Sequence, residues 1–324
     1  MLSIIVPNYN GRELLENNLP SLVIEAQRCS KPAEIIIADD ASNDDSIDFV
    51  RRCFPNVKII HSDINRGFGP TCNMGAAAAK GDVLAFVMSD LNILPSYFEP
   101  LLETLSNSGI FAVGSSLLNR SNPEFDGGVA SMQFIRGLVH LDFPGKKKSG
   151  LDVFEQFFVC GGAMMVHRSQ FIELGGFDDM YSPYYWEDVD LCYRAWKRGW
   201  RTVLDTRSAG YHEHPHSTVD SSAERLEIDS TYERNRFIFT LSNIHQASIG
   251  LSHVAWLPAH LMMAGAKENP AFVRGFVECI RMKRTLQARR NKLSIEAVLP
   301  DKAIWSRMGR SSGVRGPESG VGNT

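Results

Sequence analysis

The chain has 324 residues, with 34 Lys+Arg against 37 Asp+Glu (net charge −3), 44% hydrophobic and 22% charged residues. That is ordinary globular usage, which excludes a wholly disordered chain. At about 150 residues per domain the length suggests roughly two units, and the near-neutral balance leaves no basic footprint for a nucleic-acid partner. Six cysteines (Cys29, Cys53, Cys72, Cys160, Cys192, Cys279) lie far apart with no CxxC pair. This speaks against a zinc ribbon or a redox motif and fits reduced thiols in a cytoplasmic protein. The apolar run Leu2–Val6 is too short for the core of a signal peptide, and no stretch reaches the length of a membrane span, about 18 apolar residues.

Ser3–Val6 is rich in β-branched residues and ends at Pro7-Asn8, which reads as a strand and then a loop. Leu14, Leu15, Leu19, Leu22 and Val23 recur at helical spacing, with Pro20 expected to mark a break. Glu34–Ala38 is a second strand, and the polar segment Asp39–Ser46 is the loop leaving it. Ile47, Val50 and Phe54 suit a helix, Val57–His61 a third strand, Thr71–Lys80 an alanine-rich helix, and Val83–Met88 a fourth strand ending at Ser89-Asp90. Strands alternating with helices predict an α/β fold with a mostly parallel sheet, whose ligands bind at the carboxyl ends of the strands. Three of those ends carry polar clusters: Asn8/Asn10, Asp39/Asp40/Ser42/Asp45 and Ser89/Asp90. Turn chemistry explains any one of them, since Asn and Asp favour turns; three at one edge favour a site. Neither GxGxxG nor GxxxxGK[ST] is present, so dinucleotide-binding and P-loop readings lose their main support.

Cys160–Val166 is a glycine-led apolar run and reads as another strand; Gly175–Asp178 is a turn. A helix is expected from Glu187 to near Gly199. Acidic residues in a first turn are favoured by the helix dipole, and Asp190 and Arg194 are spaced for an i,i+4 ion pair. Capping alone would therefore explain Glu187 and Asp188. The preceding Tyr184-Tyr185-Trp186 point further, because an aromatic face beside carboxylates can hold a sugar ring while one carboxylate takes a proton from its hydroxyl. Arg201–Asp205 is a further strand. After it, His212, His214 and His216 would share one face if extended, which makes them candidate metal ligands.

In order along the chain, these landmarks resemble family 2 glycosyltransferases of the GT-A fold, in the rhamnosyltransferase-like branch that builds bacterial surface polysaccharides. The matching pieces are Ile4–Gly11, Ile36–Asp44, Asn65–Phe68 with Asn73–Gly75, Lys80–Asp82 leading to Ser89-Asp90, Gly161–Met164, Gly175–Asp178, Trp186–Leu191 and His212–His214. They span roughly residues 2–240. The resemblance implies a nucleotide-sugar donor held by Pro7, Asn8, Asn10, Asp39, Ser42, Gly67, Asn73 and Ser89. It implies a divalent cation, Mn²⁺ or Mg²⁺, on Asp90. The interval from Asp188 to His212 matches that from base to metal-binding histidine in related galactofuranosyl transferases, so His212 ranks above His214 and His216. Asp188, with Glu187 beside it, is the implied base for a single inverting displacement, and Trp186 and Gly162 would face the acceptor. Two positions depart from the pattern. Met88 stands where an Asp or Asn often begins the metal motif, and Cys72 stands where some relatives place an arginine close to the base. The donor is thus open among UDP-, dTDP- and GDP-sugars, and the acceptor is a saccharide or a lipid-linked one. The alternative is a non-catalytic sugar-nucleotide or glycan-binding module on the same fold.

The expected division is a glycosyltransferase domain over 1–236, a helical extension over 237–308 and a disordered tail over 309–324. Phe237–Ala266 holds no Asp, Glu, Lys or Arg, and the segment after it carries Arg274, Arg281, Lys283, Arg284, Arg289, Arg290 and Lys292 against Glu278 alone. Two readings stay open: helices packed under the main domain, or a peripheral surface that meets the inner face of the cell membrane.

Overall fold

The computed structural model describes residues 1–145, 151–212, 222–266 and 268–312. Its first part alternates as the sequence predicts: β1 (Leu2–Asn8), α1 (Arg12–Arg28), β2 (Ala33–Asp40), α2 (Ser46–Cys53), β3 (Lys58–Ser62), α3 (Phe68–Ala78) and β4 (Val83–Val87). β1 pairs in parallel with both β2 and β4, and β2 with β3. Pro20 does not break α1. Leu15, Leu19 and Leu22 bury on either side of it against the sheet, and that packing holds the helix together despite the missing N–H.

The sequence reading places no element between residues 91 and 160. The structure puts β5 (Leu91–Ile93), α4 (Phe98–Leu105), β6 (Ile110–Asn119), β7 (Asn122–Asp126), β8 (Ser131–Ile135), β9 (Leu138–Asp142) and β10 (Val153–Glu155) there. β11 (Ala163–His167) inserts antiparallel between β4 and β6, and β12 (Arg201–His212) runs parallel to β6. The main path of the sheet is β10-β12-β6-β11-β4-β1-β2-β3. Alternate residues feed two apolar layers. Ile5, Ile36, Leu84 and Phe86 face one side, while Ile4, Ile37, Ala85 and Val87 face the other, as expected for a sheet covered on both faces.

The remaining helices are α5 (Arg168–Glu173), α6 (Glu187–Lys197), α7 (Ser222–Asn243), α8 (Ala247–Ala266), α9 (Pro270–Arg281), α10 (Lys283–Glu296) and α11 (Asp301–Ser312). The division expected at 236/237 falls inside α7. Phe237, Phe272, Leu286 and Trp305 belong to the same buried cluster as Phe86 and Trp196. Gly309–Ser312, expected to open a disordered tail, instead complete α11; the rest of that tail lies outside the described residues.

One polar knot ties the late helices to α6. Asp190 is fully buried and accepts from Arg194 Nε at 2.7 Å, Asn243 Nδ2 at 2.7 Å and Tyr181 Oη at 3.0 Å. Arg289 of α10 reaches into the same knot. It pairs with Asp190 and donates from Nε to Asp178 at 2.7 Å. Burial works to raise the Asp190 pKa, but Arg289, Arg194 and Asn243 outweigh it and hold the carboxyl at about 2. The expected Asp190–Arg194 pair is thus present, with a partner from far along the chain.

Candidate active site

Strand register assembles the first half of the site. In the parallel ladder Asn8 lies opposite Asp39, and Asp39 opposite His61. One row across the carboxyl ends of β1, β2 and β3 therefore carries an amide, a carboxylate and an imidazole. Asp39 is fully buried. Its Oδ1 accepts from Asn8 Nδ2 at 2.8 Å and Ser42 Oγ at 2.6 Å, and its Oδ2 from the Ser42 N–H at 3.1 Å. His61 Nδ1 lies 2.8 Å from Oδ2. Burial alone would raise this acid, but the hydrogen bonds from Ser42, Asn8 and His61 prevail and keep it below the usual carboxylate range. Asn10 joins the cluster through its N–H to Ser42 Oγ at 2.8 Å, and its Oδ1 accepts from the Asn43 N–H at 2.8 Å. Pro7 precedes them in β1, opposite Ala38. Behind this row Asp40 accepts from the backbone N–H groups of Arg66 and Gly67 at 2.9 and 2.7 Å. Gly67 sits at φ +88°, and a Cβ there would lie 2.1 Å from the Pro183 carbonyl oxygen, so only glycine fits.

The second half forms around β4, β11 and the start of α6. Gly161-Gly162 bonds to Asp188 and to Met88, just past the end of β4. The Gly161 N–H donates to Asp188 Oδ2 at 2.9 Å, and the Gly162 carbonyl accepts from the Met88 N–H at 2.7 Å, two residues before Asp90. A Cβ on Gly162 would overlap the Met88 side chain, which packs directly on it. Met88 is therefore a packing residue, which accounts for its departure from the acidic motif. Asp90 Oδ2 lies 3.3 Å from His212 Nε2, both partly exposed, because β12 ends against β5 with His212 opposite Leu91. The two residues expected to share a metal are thus neighbours. His214 and His216 lie outside the described residues. Ser89 sits between Met88 and Asp90, its carbonyl accepting from Asn18 Nδ2 at 2.8 Å.

Asp188 opens α6. Burial raises its pKa against the opposing pull of the Gly161 and Val189 N–H groups. Glu187 is pushed up further, first by burial and then by the charge of Asp188. It does not join Asp188 at Gly161. It lies against Gly69 of α3, and its Oε2 is buried with no hydrogen-bond partner among the described residues.

Two expected contacts are corrected. Trp186 is 1% exposed, its ring packed at 5.7 Å on Tyr232 and 5.3 Å on Phe239. With a left-handed backbone (φ 75°) it turns into the core, so it offers no face to an acceptor. Tyr185, beside it, is the exposed aromatic. Asn73 spends both ends of its amide on Phe177, donating to its carbonyl at 2.8 Å and accepting from its N–H at 3.0 Å. It clamps the Gly176-Phe177 turn to α3 instead of facing a donor. His61 was missed. Once the β2–β3 register is drawn, its place opposite Asp39 is the signal that finds it.

A family model for glycosyl transferase family 2 matches residues 3–175, more than half of the chain. The chain belongs to glycosyl transferase family 2. A second model, the N-terminal domain of galactosyltransferase, matches residues 154–217, the segment that carries Gly161, Asp188 and His212. The glycosyltransferase is 25% identical over 263 residues to the N-acetylglucosaminyl-diphospho-decaprenol L-rhamnosyltransferase of Mycobacterium tuberculosis, covering 74% of this chain and 83% of that protein. It is 27% identical over 214 residues to polypeptide N-acetylgalactosaminyltransferase 10 of Rattus norvegicus, covering 61% of this chain and 35% of that one. Two solved structures share its fold. The mannosyltransferase PcManGT from Pyrobaculum calidifontis, in complex with GDP-Man and Mn²⁺, superposes with a TM-score of 0.55 at 16% identity over 94% of this chain and 87% of that chain. GalNAc-T7 with UDP, GalNAc and Mn²⁺ gives 0.58 at 19% identity over 74% of this chain and 48% of that chain, so the glycosyltransferase spans about half of that structure's length. The fold is GT-A, as expected.

Proposed function

We propose that this glycosyltransferase moves a sugar from a nucleoside-diphosphate donor to a hydroxyl of a saccharide or lipid-linked acceptor, with inversion at the anomeric carbon. The setting is the building of a cell-surface polysaccharide. The observation that carries the reading is the Gly161-Gly162 segment, which holds a raised-pKa carboxylate, Asp188, on one side and the strand end bearing Asp90 on the other. A base and a leaving-group site must flank one reacting carbon, and a segment bonded both to Asp188 and to the strand end before Asp90 supports that arrangement. The Mycobacterium tuberculosis relative, named for a diphospho-decaprenol acceptor, supports a lipid-linked acceptor.

The donor end is the row Asn8–Asp39–His61. With its lone pairs already engaged, Asp39 fixes Ser42, Asn10 and the partly exposed His61 at the rim where a base and ribose would lie. At the acceptor end Asp188 takes the hydroxyl proton. Its burial raises its basicity, while the Gly161 and Val189 N–H groups aim it and favour its charged form. Burial and the charge of Asp188 push Glu187 well above the usual carboxylate range, which disfavours a second negative charge beside the base. The residues also fit a divalent cation. A carboxylate oxygen and an imidazole nitrogen converge at 3.3 Å, a donor pair that suits Mn²⁺ better than Mg²⁺. Among the described residues no three acidic, His or Cys groups gather there, so Asp90 and His212 would hold the ion together with donor phosphates and water. Bound there, the ion supplies Lewis-acid neutralisation of the charge that grows on the leaving diphosphate.

The test is release of nucleoside diphosphate from a panel of UDP-, dTDP- and GDP-sugars, with a diphospholipid-linked saccharide as acceptor, analysed for the anomeric configuration of the product. An inverted product supports the reading; a retained one overturns it.

A further inference from the structure

The helices α8 and α9 present an outer face that is not covered by any of the described residues. On its inner side α8 is pinned to the β8–β9 hairpin. His253 Nδ1 lies 2.7 Å from the Gly137 carbonyl and His260 Nε2 lies 2.8 Å from that of Arg136, while Ile249 and Ala264 are buried. On the opposite side Leu251, Val254 and Met262 recur at i, i+3 and i+11, one stripe of a helix, and are 72%, 69% and 73% exposed. α9 repeats the arrangement. Its inner face packs on α7 so closely that a Cβ on Gly275 would lie 2.6 Å from the Arg234 backbone, while Val273, Val277 and Ile280 point outward.

The two stripes form one surface. One open groove is lined by Gly265 of α8 together with Val273, Arg274, Val277 and Arg281 of α9. A second, of about 420 Å³, is lined by Val254, Ile280 and Lys283. Cations stand along this seam: Arg281, Lys283 and Arg284 are exposed, and Arg274 is half exposed beside Glu278 at 2.9 Å. Arg289 and Arg290, counted with them in the sequence, turn inward instead; Arg289 is buried on Asp190 and Arg290 donates to the Leu241 carbonyl at 2.7 Å. No helix among the described residues is long and apolar enough to cross a membrane.

We infer that the α8–α9 face is a monotopic docking surface for an anionic phospholipid bilayer. Apolar side chains on two adjoining helices enter the acyl boundary, and the Arg281–Lys283–Arg284 ridge meets the headgroups. A second copy of the chain fits less well. A two-fold contact places a patch against itself, and that would set this cationic ridge against its own image. The surface also lies close to the chemistry. α9 packs on the part of α7 from which Asn235 donates to the Tyr181, Tyr184 and Tyr185 carbonyls at 2.7–2.9 Å, and those residues lead straight into Asp188. The inference does not depend on the acceptor proposed above, since it reads only the surface.

The experiment is co-sedimentation of the full chain with phosphatidylglycerol vesicles and with phosphatidylcholine vesicles, at low and high salt, beside size-exclusion chromatography with light scattering. The full chain is expected to bind the anionic vesicles at low salt and to be released by high salt. The triple variant Arg281→Glu/Lys283→Glu/Arg284→Glu should partition at least ~100-fold more weakly. Val254→Ser/Met262→Ser, on exposed positions that leave the core intact, should weaken binding about tenfold or more. The inference is overturned if the full chain ignores anionic vesicles, if both variants bind like the wild type, or if the Val254/Met262 pair instead dissolves a stable dimer.

Discussion

As the proposed base, Asp188 would have to meet two opposed needs: burial, which raises its basicity, and N–H groups that favour its charged form. Gly161 and Val189 supply those groups at 2.9 and 2.7 Å. Asp188→Asn keeps the size, retains one oxygen to accept from one of the two N–H groups, and leaves the Asn8–Asp39–His61 row untouched, so nucleotide binding should stay near that of the wild type. Transfer should fall by ~10²–10⁴, the usual loss of a general base, in a turnover assay read beside calorimetric binding; wild-type turnover would make Asp188 a helix cap only. Glu187 separates from it by stability. Its native pKa is raised by burial and by Asp188. Relative to a neutral isostere, its stabilising contribution is therefore full below the unfolded carboxylate range and is lost as pH rises through the native value. Glu187→Gln should accordingly raise the melting temperature at neutral pH, with the gain vanishing near pH 4. A gain independent of pH would show that charge burial is not its cause. Asp188 and His212 could be singled out as candidates because their residue types stand at fixed places among turns and strand ends; the structure sets His212 beside Asp90 and Asp188 on the Gly161 N–H. Trp186 and Asn73 were misread because residue type says nothing about direction: a left-handed φ turns the indole inward, and the Phe177 backbone claims the amide.

At the scale of elements, α6, the helix that carries Asp188, is anchored from behind by α10. Arg289 and Arg194 share Asp190, two residues beyond Asp188 in the first turn of α6. Removing one partner leaves a buried charge uncompensated, so Arg289→Ala should lower unfolding free energy by about 3–5 kcal/mol in urea titrations. A loss under about 1 kcal/mol would place the pair among weakly contributing surface bridges. With the Asp190 pKa lowered to about 2, the wild type's extra stability is present above the ordinary aspartate range and lost as pH falls from about 4 toward 2. The same anchoring means that cutting the chain before Ile244 removes Arg289 and the buried Leu286 and Trp305. Such a truncation should aggregate on expression, which is why substitutions on the α8–α9 face are the cleaner probe of membrane contact. Elements with turn punctuation and periodicity, β1 through β4 and α6, could be read from sequence. β6 could not. Its first eight residues are buried, but Gly114-Ser115-Ser116 interrupt the apolar residues, so neither alternation nor a helical period shows, and the antiparallel insertion of β11 depends on strands far apart in sequence. Arg289 lay beyond reach for the same reason, since its partner is 99 residues away.

As a whole molecule, the fold gathers three groups of residues from far-apart stretches of chain: Asn8–Asp39–His61, Asp90 with His212, and Asp188 on Gly161. The ordered run of motifs made the GT-A fold and two of these groups readable, because each motif is a loop that must follow a strand. His61 needed the register, and the outer face of α8 and α9 needed the packing of α7 and the hairpin beneath it. The central claim is that these groups bind a nucleoside diphosphate jointly with a divalent cation held at Asp90 and His212. Calorimetric titration of UDP, dTDP and GDP, each with and without Mn²⁺, into the wild type and into Asp90→Ala tests it most directly. At least one nucleotide should bind tenfold or more tightly with Mn²⁺, and Asp90→Ala should abolish this gain while leaving the metal-free affinity in place. Binding that ignores Mn²⁺ in both proteins, or no nucleotide binding at all, would contradict it.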